Sequence, residues 1–504
     1  MNTKEQQQIT AGSVAGLLDE CAAARPNRPL LRDTDGGTLT VAQVAALSSA
    51  TARWLWDAGV RPGMTVAWQL PSHTMAAVVM LALSRIPVTQ APVLHLYRQR
   101  EVSTALDVAD ADILLVDKST AGNAPSEIAT VVIPDDLLAR LSDTPESRSE
   151  LNGPRSAADP RWVYFTSGTT GRPKGVAHTD ATLLSASRGY VAHLGLGSHP
   201  QEVGTIAFPI AHVGGMVYLA AALLGDFPVL LVPKVTAATL PDLLAEHRVT
   251  VTGASTAFYQ MLVASQTASA TSDLLMPSLR MLIGGGAACP PEVHRQVRRH
   301  LRIPVVHAYG MTEAPMVCVS ECSDTDEQLA NSAGRPIPGA QVRIGPTGEI
   351  ELRGGNLTPG YVEDEQWNRA LTADGWFHTG DRGYLRPDGR IVVTGRTKDL
   401  IIRKGENIAP DEIENELLAH PLIDEIAVLG QPDALRGELV CAVVRRSPQH
   451  RDVTLHELCT FLDQRGLMKQ KWPERLVIVD EFPLTGLGKV AKSELAQQIT
   501  EGAR

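Results

Sequence analysis

The chain has 504 residues and a mass of 54.0 kDa, about three times the usual size of a domain, so at least two hydrophobic cores are expected. Hydrophobic residues make up 44% of the chain and charged residues 20%, a balance that excludes a largely disordered protein. The net charge is −10 and aromatic residues make up only 4%, which excludes the basic field and the stacking surface of a nucleic-acid-binding protein.

The cysteines, the N-terminal residues and the length of the apolar runs indicate the cellular compartment. The six cysteines are scattered without CxxC pairs, so we expect reduced thiols in the core rather than disulfides or a zinc site. The N-terminal residues MNTKEQQQIT are polar, and the longest apolar run, Met75–Leu83, is too short to span a bilayer. The sequence therefore predicts a cytoplasmic protein without a membrane span.

Short apolar runs alternate with longer amphipathic stretches in the first part of the chain. Thr65–Leu70 is followed by Met75–Leu83, and Val132–Pro134 is followed by Leu137–Leu141. This alternation predicts an α/β fold with doubly wound βα subdomains around mostly parallel sheets. The polar stretch from Lys118 to Pro160 carries little core material, and we expect it to be a surface connection between subdomains.

After about residue 340 the pattern changes to short strands and turns. Turn signals occur at Pro346-Thr347-Gly348 and at Pro387-Asp388-Gly389, which is typical of an antiparallel region built from hairpins. The expected strands are Gln341–Ile344, Ile350–Arg353, Tyr384–Leu385 and Ile391–Thr394.

Beyond Arg396 the sequence predicts a small α+β domain. Its first helix has an apolar stripe, its two strands are rich in Val, and a second helix begins at Leu455. The stripe is Ile413, Leu417 and Leu418, and the strands are Glu425–Leu429 and Glu438–Val444. We therefore expect an N-terminal domain over residues 1–396 and a mobile C-terminal domain over residues 397–504.

The most informative segment is a loop rich in hydroxyl groups and glycine that follows a predicted strand, Trp162–Phe165. It reads Thr166-Ser167-Gly168-Thr169-Thr170-Gly171-Arg172-Pro173-Lys174-Gly175. The hydroxyls, the open backbone at the glycines and the lysine supply the donors and the cation that a polyphosphate requires. The loop is not a Walker A motif, because Gly175 stands where that motif needs Ser or Thr. From the residues alone, a solvated Gly/Thr hairpin remains the alternative.

This loop resembles the phosphate loop of the adenylate-forming superfamily, which contains acyl- and aryl-CoA synthetases, firefly-type luciferases and the adenylation domains of peptide synthetases. The resemblance covers nearly the whole chain, is nearest in type to carboxylic acid–CoA ligases, and extends to further segments in the family's order and spacing. These are Tyr309-Gly310-Met311-Thr312-Glu313, Trp376-Phe377-His378-Thr379-Gly380-Asp381, Gly395-Arg396-Thr397-Lys398-Asp399, Gly405-Glu406-Asn407-Ile408 and Gly488-Lys489-Val490-Ala491-Lys492.

The resemblance implies a two-step reaction that uses ATP, Mg²⁺ and coenzyme A. A carboxylate attacks the α-phosphate of ATP and expels pyrophosphate, and a thiol then attacks the acyl adenylate and expels AMP. Both transition states place extra negative charge on oxygen atoms, so catalysis depends on positioning and electrostatic stabilisation more than on a protein nucleophile.

The resemblance also implies a phosphate site and a metal site. The residues that match the loop holding the β- and γ-phosphates are Thr166, Ser167, Gly168, Thr169, Thr170 and Lys174. After the predicted strand Val305–Tyr309, Thr312 is expected to reach the α-phosphate and Glu313 to hold Mg²⁺. Without the resemblance, Glu313 also fits the start of a helix.

For the nucleoside, Tyr309 and the stretch Gly285-Gly286-Ala287 resemble the family's adenine slot. Asp381 corresponds to the carboxylate that binds both ribose hydroxyls, which suits an acceptor with two oxygens, and Arg396 corresponds to a second nucleotide contact. From the residues alone, the glycines fit a tight strand-to-helix turn, and Asp381 and Arg396 fit surface turns.

In the C-terminal domain, Lys489 resembles the lysine that bridges the carboxylate and the α-phosphate during adenylation. Lys398 matches the hinge about which this domain turns, and rotation there would withdraw Lys489 and bring Gly405 to the thiol channel of coenzyme A. The chain departs from the family's pattern in Thr485-Gly486-Leu487-Gly488-Lys489, where two glycines increase the freedom of the backbone. A solvated lysine and a hairpin turn at residues 404–405 are the alternatives.

The segment Ala207–Met216 resembles the segment that lines the carboxylate pocket. It lacks the aspartate with which peptide-synthetase domains bind an α-amino group, so we expect a small carboxylic acid that is not an amino acid. His212 could orient this acid or be a packed core histidine. The residues expected to form an apolar pocket for a ring system or a medium acyl chain are His212, Gly214, Gly215, Met216, Gly284, Gly310 and Met311.

Three functions remain open from the sequence. The leading prediction is a complete acid–CoA ligase. The second is a stand-alone enzyme for one half-reaction, which either adenylates an acid and loads a carrier protein or forms a thioester from a supplied adenylate. The third is a nucleotide-binding protein without chemistry, against which the retention of the motif lysines, carboxylates and Arg396 argues. A luciferase-like oxygenation also stays open, although it is rare in the family.

Overall fold

The computed structural model of the protein describes ten stretches of the chain. They are residues 10–142, 159–166, 173–269, 273–285, 289–362, 364–403, 406–433, 437–447, 451–485 and 490–501. Within these ranges no helix is long and apolar enough to cross a membrane.

Strands provide four sheets. In chain order the strands are β1 (Pro29–Asp33), β2 (Thr38–Thr40), β3 (Thr65–Gln69), β4 (Thr89–Pro92), β5 (Ile113–Val116), β6 (Ala129–Val132), β7 (Trp162–Thr166), β8 (Lys174–His178), β9 (Gly204–Ile206), β10 (Val229–Leu231), β11 (Val251–Thr252), β12 (Met281–Gly285), β13 (Val305–Tyr309), β14 (Cys318–Val319), β15 (Arg335–Pro336), β16 (Ala340–Ile344), β17 (Glu349–Gly354), β18 (Gly360–Tyr361), β19 (Phe377–Leu385), β20 (Ile391–Arg396), β21 (Ile401–Arg403), β22 (Glu406–Ile408), β23 (Ile426–Asp433), β24 (Gly437–Arg445) and β25 (Arg475–Val479).

Helices cover and separate these sheets. They are α1 (Val14–Ala24), α2 (Val41–Asp57), α3 (Thr74–Arg85), α4 (Gln99–Ala109), α5 (Leu137–Ser142), α6 (Asp180–Leu194), α7 (Val213–Gly225), α8 (Leu240–Glu246), α9 (Thr256–Ala268), α10 (Pro291–His300), α11 (Asp326–Asn331), α12 (Asp364–Arg369), α13 (Pro410–Leu417), α14 (Leu455–Gln464) and α15 (Lys492–Glu501). Short 3₁₀ turns occur at Ala121–Asn123, Thr397–Asp399 and Lys469–Lys471.

Two large sheets dominate the N-terminal part. One has nine strands in the order β15-β14-β13-β12-β11-β9-β10-β1-β2, and the other has seven in the order β18-β8-β7-β4-β3-β5-β6. The pairs in the middle of both sheets are parallel, and antiparallel pairs occur at their edges. This arrangement confirms the predicted α/β class with doubly wound subdomains.

The main core lies between the two large sheets and the helices that separate them. Every residue of α3 is buried, and α7 is buried along most of its length, because both helices are apolar on all sides and therefore need contacts all round. Trp68 of β3, Met80 of α3 and Met216 of α7 belong to this single cluster. The core thus fixes the two sheets relative to each other.

The polar stretch from Lys118 to Pro160 is more structured than expected. The structure describes residues 118–142 and 159–160 of this stretch. The first part contains β6 and α5, and β6 pairs in parallel with β5. Ile133 and Leu137 are buried in the main core, so the expectation of little core material in this stretch is wrong around these two residues. β6 begins three residues before the predicted strand at Val132–Pro134, and α5 matches the predicted segment Leu137–Leu141 within one residue.

The antiparallel region is confirmed as a four-stranded sheet in the order β16-β17-β19-β20. The predicted strands at Gln341–Ile344, Ile350–Arg353 and Ile391–Thr394 each match one strand within two residues at either end. The short segment at Tyr384–Leu385 is the end of the nine-residue strand β19. Gly348 and Gly389 of the two turns adopt positive φ of 79° and 80°, which glycine allows without strain.

The C-terminal region has a sheet in the order β22-β21-β24-β23, with β25 beside β24. Its two core clusters use only residues between Ile401 and Ile499, whereas the other clusters use residues from Ala11 to Ile391. Separate cores are what a division near residue 396 requires. The domain boundary itself stays a prediction.

All six cysteines carry free thiols. Three of them are buried, namely Cys21, Cys318 and Cys441. Cys322 is exposed, so the expectation of core thiols is wrong for that residue, which follows the short strand β14.

Candidate active site

The predicted phosphate loop connects two paired strands. β7 and β8 pair antiparallel, and the last pair of the ladder is Thr166 with Lys174. The hairpin therefore brings the first hydroxyl and the lysine of the loop to the same place. Ser167, Gly168, Thr169 and Thr170 lie outside the described residues.

A tyrosine connects the loop lysine to the predicted metal ligand. Nζ of Lys174 lies 4.8 Å from the ring centroid of Tyr361, and the hydroxyl of Tyr361 donates a hydrogen bond of 2.9 Å to Oε1 of Glu313. Burial, together with the charge of Glu313, raises the pKa of Tyr361, so its hydroxyl stays protonated. Sequence reasoning missed Tyr361, because its two-residue strand has no apolar periodicity of its own.

A second missed residue, His178 at the end of β8, positions the segment that carries Thr312 and Glu313. Its Nε2 lies 2.7 Å from the backbone oxygen of Thr312, and its Nδ1 lies 2.9 Å from Oγ1 of Thr182. Burial lowers the pKa of His178 to about 4, so the ring is neutral near pH 7. Since a carbonyl only accepts, Nε2 carries the proton, and Nδ1 is the acceptor nitrogen of the ring.

Asp381, the predicted ribose ligand, lies where the four-stranded sheet meets the nine-stranded one. The hydroxyl of Tyr309 donates to its Oδ2 at 2.8 Å, and Nε of Arg396 lies 3.3 Å from its Oδ1. Asp381 and Arg396 are direct partners in the β19–β20 ladder. Burial raises the pKa of Asp381, and the nearby charge of Arg396 opposes this effect.

The carboxylate of Asp381 keeps hydrogen-bonding capacity for a further ligand. A carboxylate offers about four lone-pair sites, and the contacts with Tyr309 and Arg396 use two of them. Asp381 is 6% exposed and Arg396 is exposed. Asp381 therefore contacts both Arg396, the second predicted nucleotide contact, and Tyr309 of the predicted adenine slot.

Two glycines at the end of β12 allow close packing of strands, Gly284 of the predicted acyl pocket and Gly285 of the predicted adenine slot. A Cβ atom on Gly284 would lie 2.1 Å from the backbone oxygen of Ala254, and one on Gly285 would lie 2.1 Å from that of Ala308. Both distances are far below van der Waals contact, so β12 requires glycine for its own packing. Gly286 and Ala287 lie outside the described residues.

In the predicted acyl pocket, His212 is the N-cap of α7. Its Nδ1 accepts a hydrogen bond of 3.1 Å from the backbone nitrogen of Gly214, and its ring stands edge-on to Phe208 at 6.4 Å. Gly215 lies against the backbone of Ile210, where a Cβ atom would be 2.1 Å from the oxygen. Met216 is fully buried in the main core.

Gly310 and Met311 follow β13 on the segment that leads to Glu313. Gly310 lies close to the backbone of Met316, and a Cβ atom there would be 2.8 Å from the Met316 nitrogen. Met311 is partly buried against the core of the four-stranded sheet. The pocket roles of these residues stay predictions.

The residues expected to alternate between the two half-reactions are not placed. Lys489 and Gly405 lie outside the described residues. The backbone of Lys398 belongs to the 3₁₀ turn that follows β20.

The carboxylate at Glu313 fits magnesium that arrives with a nucleotide. Across the described ranges no group of three or more His, Cys, Asp or Glu side chains could hold a metal ion. Mg²⁺ is commonly bound by one or two carboxylates together with substrate phosphates and water. With Oε1 engaged by Tyr361, Glu313 keeps Oε2 for this purpose.

Comparisons with known proteins agree with this geometry. The family model described as AMP-binding enzyme matches residues 18–362, and the one described as AMP-binding enzyme C-terminal domain matches residues 412–489. The oxalate–CoA ligase of Arabidopsis thaliana is 30% identical, with 98% of this chain and 100% of that protein aligned. The medium-chain fatty-acid–CoA ligase of Escherichia coli K12 is 28% identical, with 97% and 90% aligned.

A solved structure extends the comparison. The O-succinylbenzoate coenzyme A synthetase of Bacillus subtilis, in complex with ATP and a magnesium ion, is 26% identical. The alignment covers 95% of this chain and 98% of that one, with a TM-score of 0.82. The fold described above is therefore shared over nearly the full length of both chains.

Proposed function

Because the chain belongs to the AMP-binding enzyme family, we propose that it is an acid–CoA ligase that uses ATP, Mg²⁺ and coenzyme A. In this proposal it activates a small carboxylic acid other than an amino acid as an acyl adenylate and then transfers the acyl group to the thiol of coenzyme A.

One observation supports the proposal: the five residues from Tyr309 to Glu313 contact residues at both ends of the proposed nucleotide site. Tyr309 donates to Asp381 on the ribose side, and Glu313 accepts from Tyr361 beside Lys174 on the phosphate side. Four peptide units span at most about 14 Å. The segment therefore limits how far apart the backbone positions of Tyr309 and Glu313 can lie.

In the first half-reaction the chain's residues bind and orient the substrates. Asp381 accepts from the ribose hydroxyls, and Lys174 lies where the charge of the departing pyrophosphate develops. Mg²⁺ at Glu313 would offset the charge of the phosphate oxygens. Thr312, held through its backbone by His178, presents its hydroxyl to the α-phosphate, and Lys489 bridges the carboxylate to it.

In the second half-reaction the C-terminal domain turns near Lys398. This motion withdraws Lys489 and brings Gly405 to the path of the thiol. The separate cores of the two regions support such a rotation.

The acid in this proposal is a small carboxylic acid without an amino group. The relatives named above act on acids as different as oxalate and a medium-chain fatty acid. The segment from His212 to Met216 carries no carboxylate, which supports an acid without an amino group. A carrier protein in place of coenzyme A is the second candidate for the thiol substrate.

The free thiols of the six cysteines support a cytoplasmic location of the protein.

The proposal is tested with a panel of carboxylic acids, for which pyrophosphate release and AMP release with coenzyme A are measured separately. An acid–CoA ligase gives both products with the same acid. Acid-dependent pyrophosphate release together with acyl transfer only to a carrier protein would establish the half-reaction enzyme. ATP binding without pyrophosphate release for every acid would overturn the proposal in favour of a nucleotide-binding protein.

A further inference from the structure

Tyr361 occupies a fixed position between two charged groups. It ends the two-residue strand β18, which pairs with β8, and it is 6% exposed. The ring of Trp367 stands edge-on to it at 5.6 Å, and Trp367 in turn stacks on Phe377 at 5.3 Å. This packing fixes the phenol ring, so the ring and the hydroxyl cannot reorient independently.

The hydroxyl of Tyr361 restricts the rotation of the Glu313 side chain. The side chain of Glu313 has three rotatable bonds, and ordering such a chain costs up to about 2 kcal/mol of conformational entropy. The hydrogen bond from Tyr361 holds Oε1 and so orders the carboxylate before a ligand arrives. A metal ion that meets Oε2 then avoids this cost.

The ring of Tyr361 restricts the position of the Lys174 ammonium group. A cation within about 6 Å of an aromatic centroid is attracted by the ring, and Nζ of Lys174 lies 4.8 Å away. An ammonium group has three N–H donors, and the ring face uses none of them as a localised acceptor. Lys174 is thus held near the loop while its donors stay available for phosphate oxygens.

We propose that Tyr361 is a positioning residue for the magnesium–triphosphate end of the site, with the hydroxyl acting through Glu313 and the ring through Lys174. The inference rests on the proposed function, since it requires an enzyme that binds ATP with magnesium. It assigns two separable effects to one side chain.

A neighbouring tyrosine provides a matched control. Tyr164 on β7 and Tyr361 on β18 are both register partners of Val176 on β8, so they flank the same residue in the same sheet. Tyr164 is also buried, but its hydroxyl has no hydrogen-bond partner among the described residues. Tyr164→Phe therefore removes a buried hydroxyl from the same sheet without touching either charged group.

The test is calorimetric binding of ATP to the whole protein, with Mg²⁺ and with EDTA, in the absence of acid. We expect Tyr361→Phe to weaken binding of ATP with Mg²⁺ by about tenfold or more, as for the loss of a hydrogen bond to a charged group, and to leave metal-free ATP unchanged. Tyr361→Leu should also weaken metal-free ATP, by about three- to tenfold, because Lys174 loses its ring. Tyr164→Phe should change neither affinity.

A double variant checks the route through the carboxylate. The affinity for ATP with Mg²⁺ is divided by the affinity for metal-free ATP. In the Glu313→Gln background, Tyr361→Phe should not lower this ratio further. Melting temperatures of Tyr361→Phe and Tyr164→Phe, measured without ligand, separate positioning from a general loss of stability.

Two results would overturn the inference while the proposed function stands: wild-type affinity of Tyr361→Phe for ATP with Mg²⁺, or an equal loss with and without the metal. If the unaltered protein does not bind ATP with Mg²⁺ at all, the proposed function fails, and this inference fails with it.

Discussion

Asp381 combines burial with unused hydrogen-bonding capacity, and this combination predicts its effect on nucleotide affinity. Hydrogen bonds to a charged acceptor contribute about 1.5–3 kcal/mol each. Asp381→Ala should therefore weaken the binding of ATP and of the acyl adenylate alike, by about 10- to 100-fold, because both ligands contain the ribose. Equilibrium binding of each ligand measures this effect.

Asp381→Asn is the control for shape. It keeps an acceptor for the hydroxyl of Tyr309 but removes the charge beside Arg396, so an intermediate loss is expected. Unchanged affinity of Asp381→Ala for both ligands would remove Asp381 from the nucleotide site.

His178 makes the stability of the protein depend on pH. Burial lowers its pKa from 6.5 to about 4, so between these values the unfolded chain binds a proton that the folded chain does not. The free energy of unfolding then falls with falling pH by about 1.4 kcal/mol per unit, and the contribution levels off below about pH 4. Between pH 6.5 and pH 5 the expected loss is about 2 kcal/mol.

Urea unfolding at pH 7 and pH 5 checks this prediction against His178→Gln. Glutamine can still donate to the backbone oxygen of Thr312 but does not titrate. The variant should lose less stability between the two pH values than the unaltered protein does. An identical loss in both would show that other groups cause the acid sensitivity.

Some residues of the candidate site could be predicted from the sequence and others could not. The difference is whether a local motif or a contact with a distant residue marks them. Asp381, Arg396 and Lys174 lie in motifs whose local spacing resembles a known pattern. Tyr361 and His178 act through partners 48 and 134 positions away, and no local pattern encodes such a contact. A buried histidine at the end of a strand was the one available signal for His178.

At the scale of elements, the start of α7 provides a matched pair of glycines. A Cβ atom at Gly215 would lie 2.1 Å from the oxygen of Ile210, whereas one at Gly214 would lie 3.2 Å from Nδ1 of His212. Gly215→Ala should lower the free energy of unfolding by about 1–3 kcal/mol through overpacking. Gly214→Ala should be near neutral. The tight contact with Nδ1 of His212 opposes the gain of up to about 1 kcal/mol that alanine brings to a helix.

Chemical unfolding measures both variants, and the acid panel adds a second readout. If Gly214 faces the acyl pocket as predicted, Gly214→Ala shifts the preference towards smaller acids without loss of stability. Equal destabilisation by the two substitutions would contradict the packing described at Ile210.

The elements that could be predicted were those with continuous apolar runs. The strand at Thr65–Leu70 and the helix at Met75–Leu83 are present as β3 and α3, because buried segments carry continuous apolar runs. The two-residue strand β18 is stabilised by backbone pairing with β8. Its own side chains therefore give little warning of a strand.

For the whole molecule, the separate cores predict a selective effect of a substitution in the C-terminal region. Gly405 lies outside the described residues, and its expected role is to let the pantetheine arm of coenzyme A pass. Gly405→Leu should lower thioester formation while pyrophosphate release continues and acyl adenylate accumulates. Product analysis by mass spectrometry distinguishes the two steps. An equal fall in both would refute rotation between two orientations.

The class of the fold was predictable at this scale, but the order of the strands was not. Alternating βα units indicate parallel sheets in general. They do not indicate that the nine-stranded sheet takes β1 and β2 from the N-terminal end and its other strands from residues 204–336. That order depends on pairings between distant parts of the chain.

The position of β1 has a consequence for how the protein is made on the ribosome. Leu31 of β1 pairs with Val229 of β10, and Leu30 and Leu31 are fully buried once the sheet is complete. At about 5–20 residues per second, β10 is synthesised roughly 10–40 s after β1. During this interval the nascent β1–β2 hairpin exposes an apolar, unpaired edge. The N-terminal hairpin of the growing chain therefore needs protection from aggregation until residue 231 has emerged.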